Sequence, residues 1–281
     1  MQTTLKYFHY NILMIKKTNL FLKDIYEKRE LLYELAKRDF QKQYAGSYLG
    51  FVWVYLQPLL FIGVLYIVFT FGFRSSNIAN GVPFAVHLIA GMIAWFYVAE
   101  NLNSGTNIIK QHSFLLKKVD FRLSLLPMVK LMSSSAPHLF FIFISISVAM
   151  LNGIYPSFYI LQLVYYFFAT VVFLLGINWL TSSSNLFIPD VSKAMSVVVT
   201  FGFWLTPIFW DISRIPEKYQ WLVKLNPAAY IVEGYRDSII NHIGFWEKPY
   251  QTLYFWVVTL VMLWIGIKVF TKLRPHFAEV A

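Results

Sequence analysis

The 281-residue sequence contains no cysteine. Disulfides, thiol nucleophiles and Cys-ligated zinc are therefore excluded, and the compartment is left open. Charge is also scarce. Asp, Glu, Lys and Arg make up 14% of the chain, against roughly 25% in a soluble domain. Catalytic signatures are missing too: no glycine is followed by lysine, so there is no phosphate-cradling P-loop. The histidines form no i,i+4 pair and no HExxH, and no serine sits in a G-x-S-x-G turn. The expectation is a chain with no catalytic residues, no metal and no cofactor of its own. If its work consumes ATP, another chain must bind it. A cleavable signal peptide is not expected either, because Lys6, Lys16 and Lys17 interrupt residues 1–20 and no small-residue cleavage site follows.

What is plentiful is apolar sequence, 58% of residues, with a mean hydropathy of +0.55. The apolar runs predict an all-α integral membrane protein forming one domain over 1–281, with six spans near 51–73, 84–109, 124–151, 157–181, 191–210 and 252–270. At about 1.5 Å per residue such runs match a hydrocarbon core of roughly 30 Å. The second and third are the most interrupted by polar residues.

The net charge of +10 does not point to nucleic acid, because Lys and Arg flank the apolar runs and form no stripe. Nine precede the first run, and Lys110, Lys117, Lys118, Arg122 and Lys130 surround the link between the second and third. Lys193 follows the fourth, and Lys268, Lys272 and Arg274 end the last. That gives eighteen basic residues on one side against six on the other. By the positive-inside rule both termini are cytoplasmic.

Two segments do not span. Residues 20–42 repeat Leu22, Ile25, Tyr26, Leu32, Tyr33, Ala36 and Phe40 at helical spacing, with Asp24, Lys28, Glu34 and Arg38 providing acid-to-base pairs. This is an amphipathic helix, lying on the membrane surface or packed on a partner. Residues 211–250 carry five basic and five acidic residues and two proline starts, at Pro216 and at Asn226-Pro227. Asn is a good N-cap and Pro suits the first helical position. Two short re-entrant helices dipping into the outer leaflet are predicted, since Trp221, Leu222, Tyr230, Ile231 and Tyr235 would otherwise face water.

Few residues within the spans invite a functional reading. Glu100 is a lone carboxylate about 24 Å from the outer end of its run, in either a structural or a proton-relay role. His138 lies deeper and reads as a hydrogen-bonded packing residue. Gly46 and Gly50 have small-xxx-small spacing, which permits close helix approach; a flexible entry to the first span is the alternative. Aromatics stud two runs: Tyr55, Tyr66, Phe69 and Phe73 in the first, and Phe201, Trp204, Phe209 and Trp210 in the fifth. They form either a flat stacking surface for sugars or an interfacial belt with core packing.

Three stretches carry a resemblance: YAGSYLGFVWVYLQPLL (44–60), NIIKQHSFLLKKVDFRLSLLP (107–127) and WLTPIFWDISRIPEKYQWLVKLNPAAYIVEGYRDSI (204–239), of which LNPAAYIVEGYR is the most specific. The sequence resembles ABC-2-type permeases that export polysaccharides, namely O-antigen, capsule and teichoic-acid exporters. Arg122 departs from a frequent proline, and Gln43 from a frequent arginine. The resemblance implies a homodimer above two copies of a nucleotide-binding subunit that holds ATP and Mg, with a lipid-linked polysaccharide threaded between the protomers. It implies that the surface helix and a cytoplasmic coupling segment, 110–122, dock on that subunit through Glu27, Glu34, Arg38, Lys110, His112, Phe114, Leu115, Lys117 and Lys118. It also implies an outward gate containing Pro216, Trp221, Asn226, Pro227, Tyr230, Glu233, Tyr235 and Arg236, and it favours the glycan reading of the aromatics. The location implied is the bacterial inner membrane. An ABC-2 permease for drugs or small lipids and a membrane-embedded sugar-transfer enzyme are the competing readings. The enzyme would need clustered acidic ligands, whereas Asp211, Glu217, Glu233 and Asp237 are spread along the chain.

Overall fold

The computed structural model describes Lys23 and residues 25–43, 46–72, 81–115 and 122–280. Every regular element among the described residues is helical. Helix α1 (Arg29–Gln43) precedes the first long apolar stretch, whose central part is α2 (Trp53–Ile67). Helices α3 (Phe84–Thr106), α4 (Leu126–Leu151) and α5 (Gln162–Phe187) follow, then α6 (Asp190–Leu205). Two short helices, α7 (Glu217–Lys224) and α8 (Pro227–Arg236), lead into α9 (Pro249–Leu273).

Among the described residues, five helical stretches are long and apolar enough to cross a membrane: Gly50–Gly72, Phe84–Thr106, Leu123–Leu151, Phe158–Phe187 and Pro249–His276. The chain is an all-α, multi-pass membrane protein. The sixth expected run, 191–210, is shorter as a helix than its hydropathy indicates. Helix α6 stops after 16 residues, a length of about 24 Å. Pro207 is the cause, because its ring pushes Thr206 out of the helical region, where φ is −88° and ψ 138°. The fourth run goes further than 181, to Phe187, through a polar end from Asn178 to Asn185.

Helix α3 is the hub. In its apolar window 72% of residues are buried, against 17% in the first span, and it packs on α4, α5, α6 and α8. Small residues make this possible, with Ala90, Gly91 and Ala94 buried on α3. In lipid, where leucine gains nothing by leaving the chains, close van der Waals approach holds helices together. Helix α1 buries Leu32, Leu35, Ala36 and Asp39 and packs on α4. The chain then turns at Gly46 and Gly50, with φ of 85° and 51°. A Cβ at either glycine would have nothing of this chain within 4 Å, so within the chain their role is the turn.

Candidate functional site

The segment after α6 leaves the helix, so its carbonyls need donors from elsewhere. Arg236 supplies them. Its side chain is 1% exposed; Nε donates to the carbonyl of His87 at 3.3 Å, Nη1 to that of Pro207 at 2.5 Å, and Nη2 to that of Ile208. Nη1 also pairs with Glu233 Oε1 at 2.6 Å. Gly91 leaves the room, because a Cβ there would lie 2.6 Å from Nη2. Asn226 ties the same two segments from the other end. Its Oδ1 accepts from Ala228 N at 3.0 Å, capping α8, while Nδ2 donates to Thr206 Oγ1 at 2.9 Å. Pro227 is the first residue of α8. Further along, Asp237 is buried and paired with Lys248.

The aromatic side of α8 is locked into the bundle. Tyr230 Oη is 3.0 Å from both Tyr165 Oη and Thr252 Oγ1, and Tyr235 Oη is 2.7 Å from His138 Nε2. The apolar face of α8, predicted to dip into lipid, is instead buried against α3, α5 and α9. Helix α7 differs: Pro216 precedes it, and Trp221 and Leu222 are exposed. Of the eight residues implied in an outward gate, six therefore meet around α8, and Pro216 and Trp221 stand apart.

At the other end of α3 an ionic cluster joins three helices. Lys130 of α4 is buried, with Nζ 2.7 Å from Glu100 Oε1 and 3.6 Å from Asp39 Oδ2. Ser133 donates to Asp39 at 2.7 Å, and Gln43 to Glu100 at 3.2 Å. A buried ammonium requires such partners, and removing one side of such a pair costs about 3–5 kcal/mol. Lys130, which the sequence presents as an orientation signal, is thus also the tie between α1 and the bundle. Asp39 had a sequence signal of its own: it falls on the apolar side of α1, at i+3 from Ala36.

The opposite face of α1 is free. Glu34 and Arg38 are exposed, and Glu27 pairs at 3.4 Å with the equally exposed Lys23. After α3, Lys110 and Phe114 are exposed while His112 is buried, its Nδ1 3.1 Å from the carbonyl of Ile108. Leu115 closes a short turn, Ser113–Leu115. Lys117 and Lys118 lie outside the described residues, as does Phe73.

The remaining aromatics divide into two sets. Phe69 packs between Phe84 at 5.7 Å and Phe209 at 4.9 Å, and Phe209 meets Trp204 at 5.2 Å. Trp210 donates to the carbonyl of Trp204 at 3.3 Å, and Tyr55 meets Phe140 edge-on at 4.4 Å. Phe203, absent from the sequence reading, joins α6 to Phe61 of α2 at 5.8 Å. By contrast Tyr66, Phe201 and Trp204 keep 38%, 64% and 56% of their surface exposed. The first span and α6 thus present an aromatic flank that this chain does not cover.

Comparison with known proteins places these features in context. The O-antigen export system permease protein RfbA of Klebsiella pneumoniae is 28% identical over 252 residues, covering 89% of this chain and 95% of that protein. Its counterpart from Myxococcus xanthus is 25% identical, covering 92% and 98%. The polysialic acid transport protein KpsM of Escherichia coli is 21% identical, covering 84% and 90%. The profile of the ABC-2 type transporter family matches residues 30–240, which takes in α1, the arginine knot around α8 and every helix between, and the chain belongs to that family.

Proposed function

We propose that this chain is the channel-forming transmembrane subunit of an ATP-driven exporter that carries a lipid-linked, O-antigen-like polysaccharide from the cytoplasmic to the outer side of the bacterial inner membrane. The observation that carries the reading is likeness over about nine-tenths of both chains to permeases named for O-antigen export. The uncovered aromatic flank of the first span and α6 supports a second copy as partner, with the glycan path between the two. Sugar rings stack on such surfaces with few directional bonds, which allows sliding. In this reading two copies of a separate nucleotide-binding subunit hold ATP and Mg. They dock on the exposed face of α1 and on the 110–122 segment, and both termini are cytoplasmic. The six residues gathered around α8 form the outward gate.

Deleting the gene tests the assignment. Long-chain glycan should disappear from the cell surface and accumulate, still lipid-linked, inside the cell. Normal surface glycan with altered sensitivity to drugs or altered small-lipid distribution would instead place the chain among the ABC-2 permeases for those substrates.

A further inference from the structure

A cavity of about 400 Å³ lies between α1, α2, α3 and α4, within a single protomer. Tyr66, Phe201 and Trp204 are not among its lining residues, and its walls have a definite chemistry. Trp53, Phe61, Phe96 and Phe141 give it flat apolar sides. Its polar side is rich in acceptors. Glu100, one-third exposed, contributes a carboxylate. Asn103 also lines it, and its side-chain oxygen is buried without a hydrogen-bond partner. Pro58 and Pro137 both stand in the wall, in the interiors of α2 and α4. Neither has an N–H to give the carbonyl four residues before it, and those carbonyls belong to Val54 and Ser133, which also line the cavity.

A wall of acceptors and rings selects a ligand with many donors and apolar ring faces. Charge narrows the choice further. Glu100, the carboxylate in the wall, is paired with Lys130 at 2.7 Å; the second carboxylate on that ammonium, Asp39, leaves the cluster one negative charge in excess but does not line the cavity. Lys130 is matched again by Asp39, so no free positive charge awaits a phosphate. The volume falls within the range of small-molecule sites.

We infer that this cavity binds a neutral sugar unit, holding its hydroxyls on Glu100 and Asn103 and its ring against the aromatic walls. The inference rests on the glycan-export reading above and adds to it a sugar site inside each protomer. Because Gln43 of α1 reaches Glu100 across the rim, occupancy is linked to the position of the helix proposed to dock on the ATPase.

The test exploits the absence of cysteine. The full chain carrying Gln57→Cys, an exposed position on the cavity wall, is placed in nanodiscs and its maleimide labelling rate measured. The probes are D-mannose, D-galactose, N-acetyl-D-glucosamine and octyl β-D-glucoside, with glycerol at matched osmolality as control. At least one sugar should slow labelling severalfold and saturably. Adding Asn103→Ala or Glu100→Gln should abolish the protection while the rate without sugar stays the same. The Asn103 variant keeps the ionic cluster and so guards against misfolding of the Glu100 one. Protection at lower concentration by the octyl glycoside than by free glucose marks a lipid-tethered sugar as the source; equal protection marks a free sugar unit. Protection by tetraphenylphosphonium or inorganic phosphate but by no sugar overturns the inference. So does protection that survives both variants, or a cysteine that reacts only after unfolding in detergent. The assay involves no export, so its failure beside an intact deletion phenotype removes the cavity and leaves the exporter assignment standing.

Discussion

A Cβ placed on Gly266 would lie 2.2 Å from the carbonyl oxygen of Gly176. Helices α5 and α9 therefore touch backbone to backbone, and they form the most extensive helix pair in the bundle. Gly266→Ala should force the two helices apart and cost about 1–3 kcal/mol, the usual penalty of overpacking. Gly63→Ala is the internal control. It too lies in a helix, but its Cβ would meet nothing within 4 Å, and alanine gains up to about 1 kcal/mol of helix propensity. Thermal unfolding in detergent should rank them Gly63→Ala at or above wild type and Gly266→Ala well below it. Equal melting would show that α5 and α9 do not touch backbone to backbone.

Arg236 offers a second test of what holds the fold. Arg236→Ala strands Glu233 and three carbonyls, those of His87, Pro207 and Ile208. Breaking a buried pair in this way costs about 3–5 kcal/mol. Arg236→Lys should rescue little, since one ammonium does not reproduce a planar fork of donors. Glu233→Gln should be mild, because the carbonyls keep their donors. Melting temperatures and folded yield check the order Ala, Lys, Gln from worst to best; a Lys variant equal to wild type would reduce Arg236 to a simple charge.

Local signals in the sequence report local structure, and these two sites show the limit. The apolar runs, the charge pairs of α1 and the Asn226-Pro227 start can all be read within a few residues, because propensity, capping and hydropathy act at that range. Pro207 was visible too, but the apolar run continues past it, so hydropathy alone overstates α6. Glu233 lies one turn before Arg236, but the carbonyl partners of Arg236 lie 28 to 149 residues away, and nothing near Arg236 announces them. Lys130 looks like a flanking charge until α1 folds back and supplies Asp39. Gly176 and Gly266 are isolated glycines in separate runs, with no spacing to link them.

Whether α6 crosses the bilayer is open to direct measurement, because its 16 residues fall short of the other spans. Lys193→Cys sits near its start and Lys218→Cys on α7 beyond its end, both at exposed positions. If α6 together with residues 206–210 crosses, an impermeant maleimide added to intact cells labels position 218 and not 193. Labelling of both, or of neither until the cells are broken, means that the chain returns to the side it left and has five spans.

The aromatics can be divided by what each ring touches. Phe69 and Phe209 pack on each other at 4.9 Å, and Tyr55 packs on Phe140. Replacing any of these with Leu removes ring contacts inside this chain. Aromatic pairs contribute about 0.5–1.5 kcal/mol beyond their buried area, so stability should fall by at least that amount, with export declining only as folded protein declines. Phe201 and Trp204 are more than half exposed. Leu at position 201 keeps an apolar surface and forfeits a flat one, so stability and basal ATPase activity of the assembled exporter should stay near wild type. Trp204→Leu should behave similarly, with a small stability loss from its contact with Phe209. If sugars stack on this flank, surface polymer per unit of folded protein falls severalfold in both exposed variants and is unchanged in the packed ones. Polymer that tracks protein level in every variant would mean that the rings serve packing and lipid contact alone, and the glycan path would have to be sought on another face.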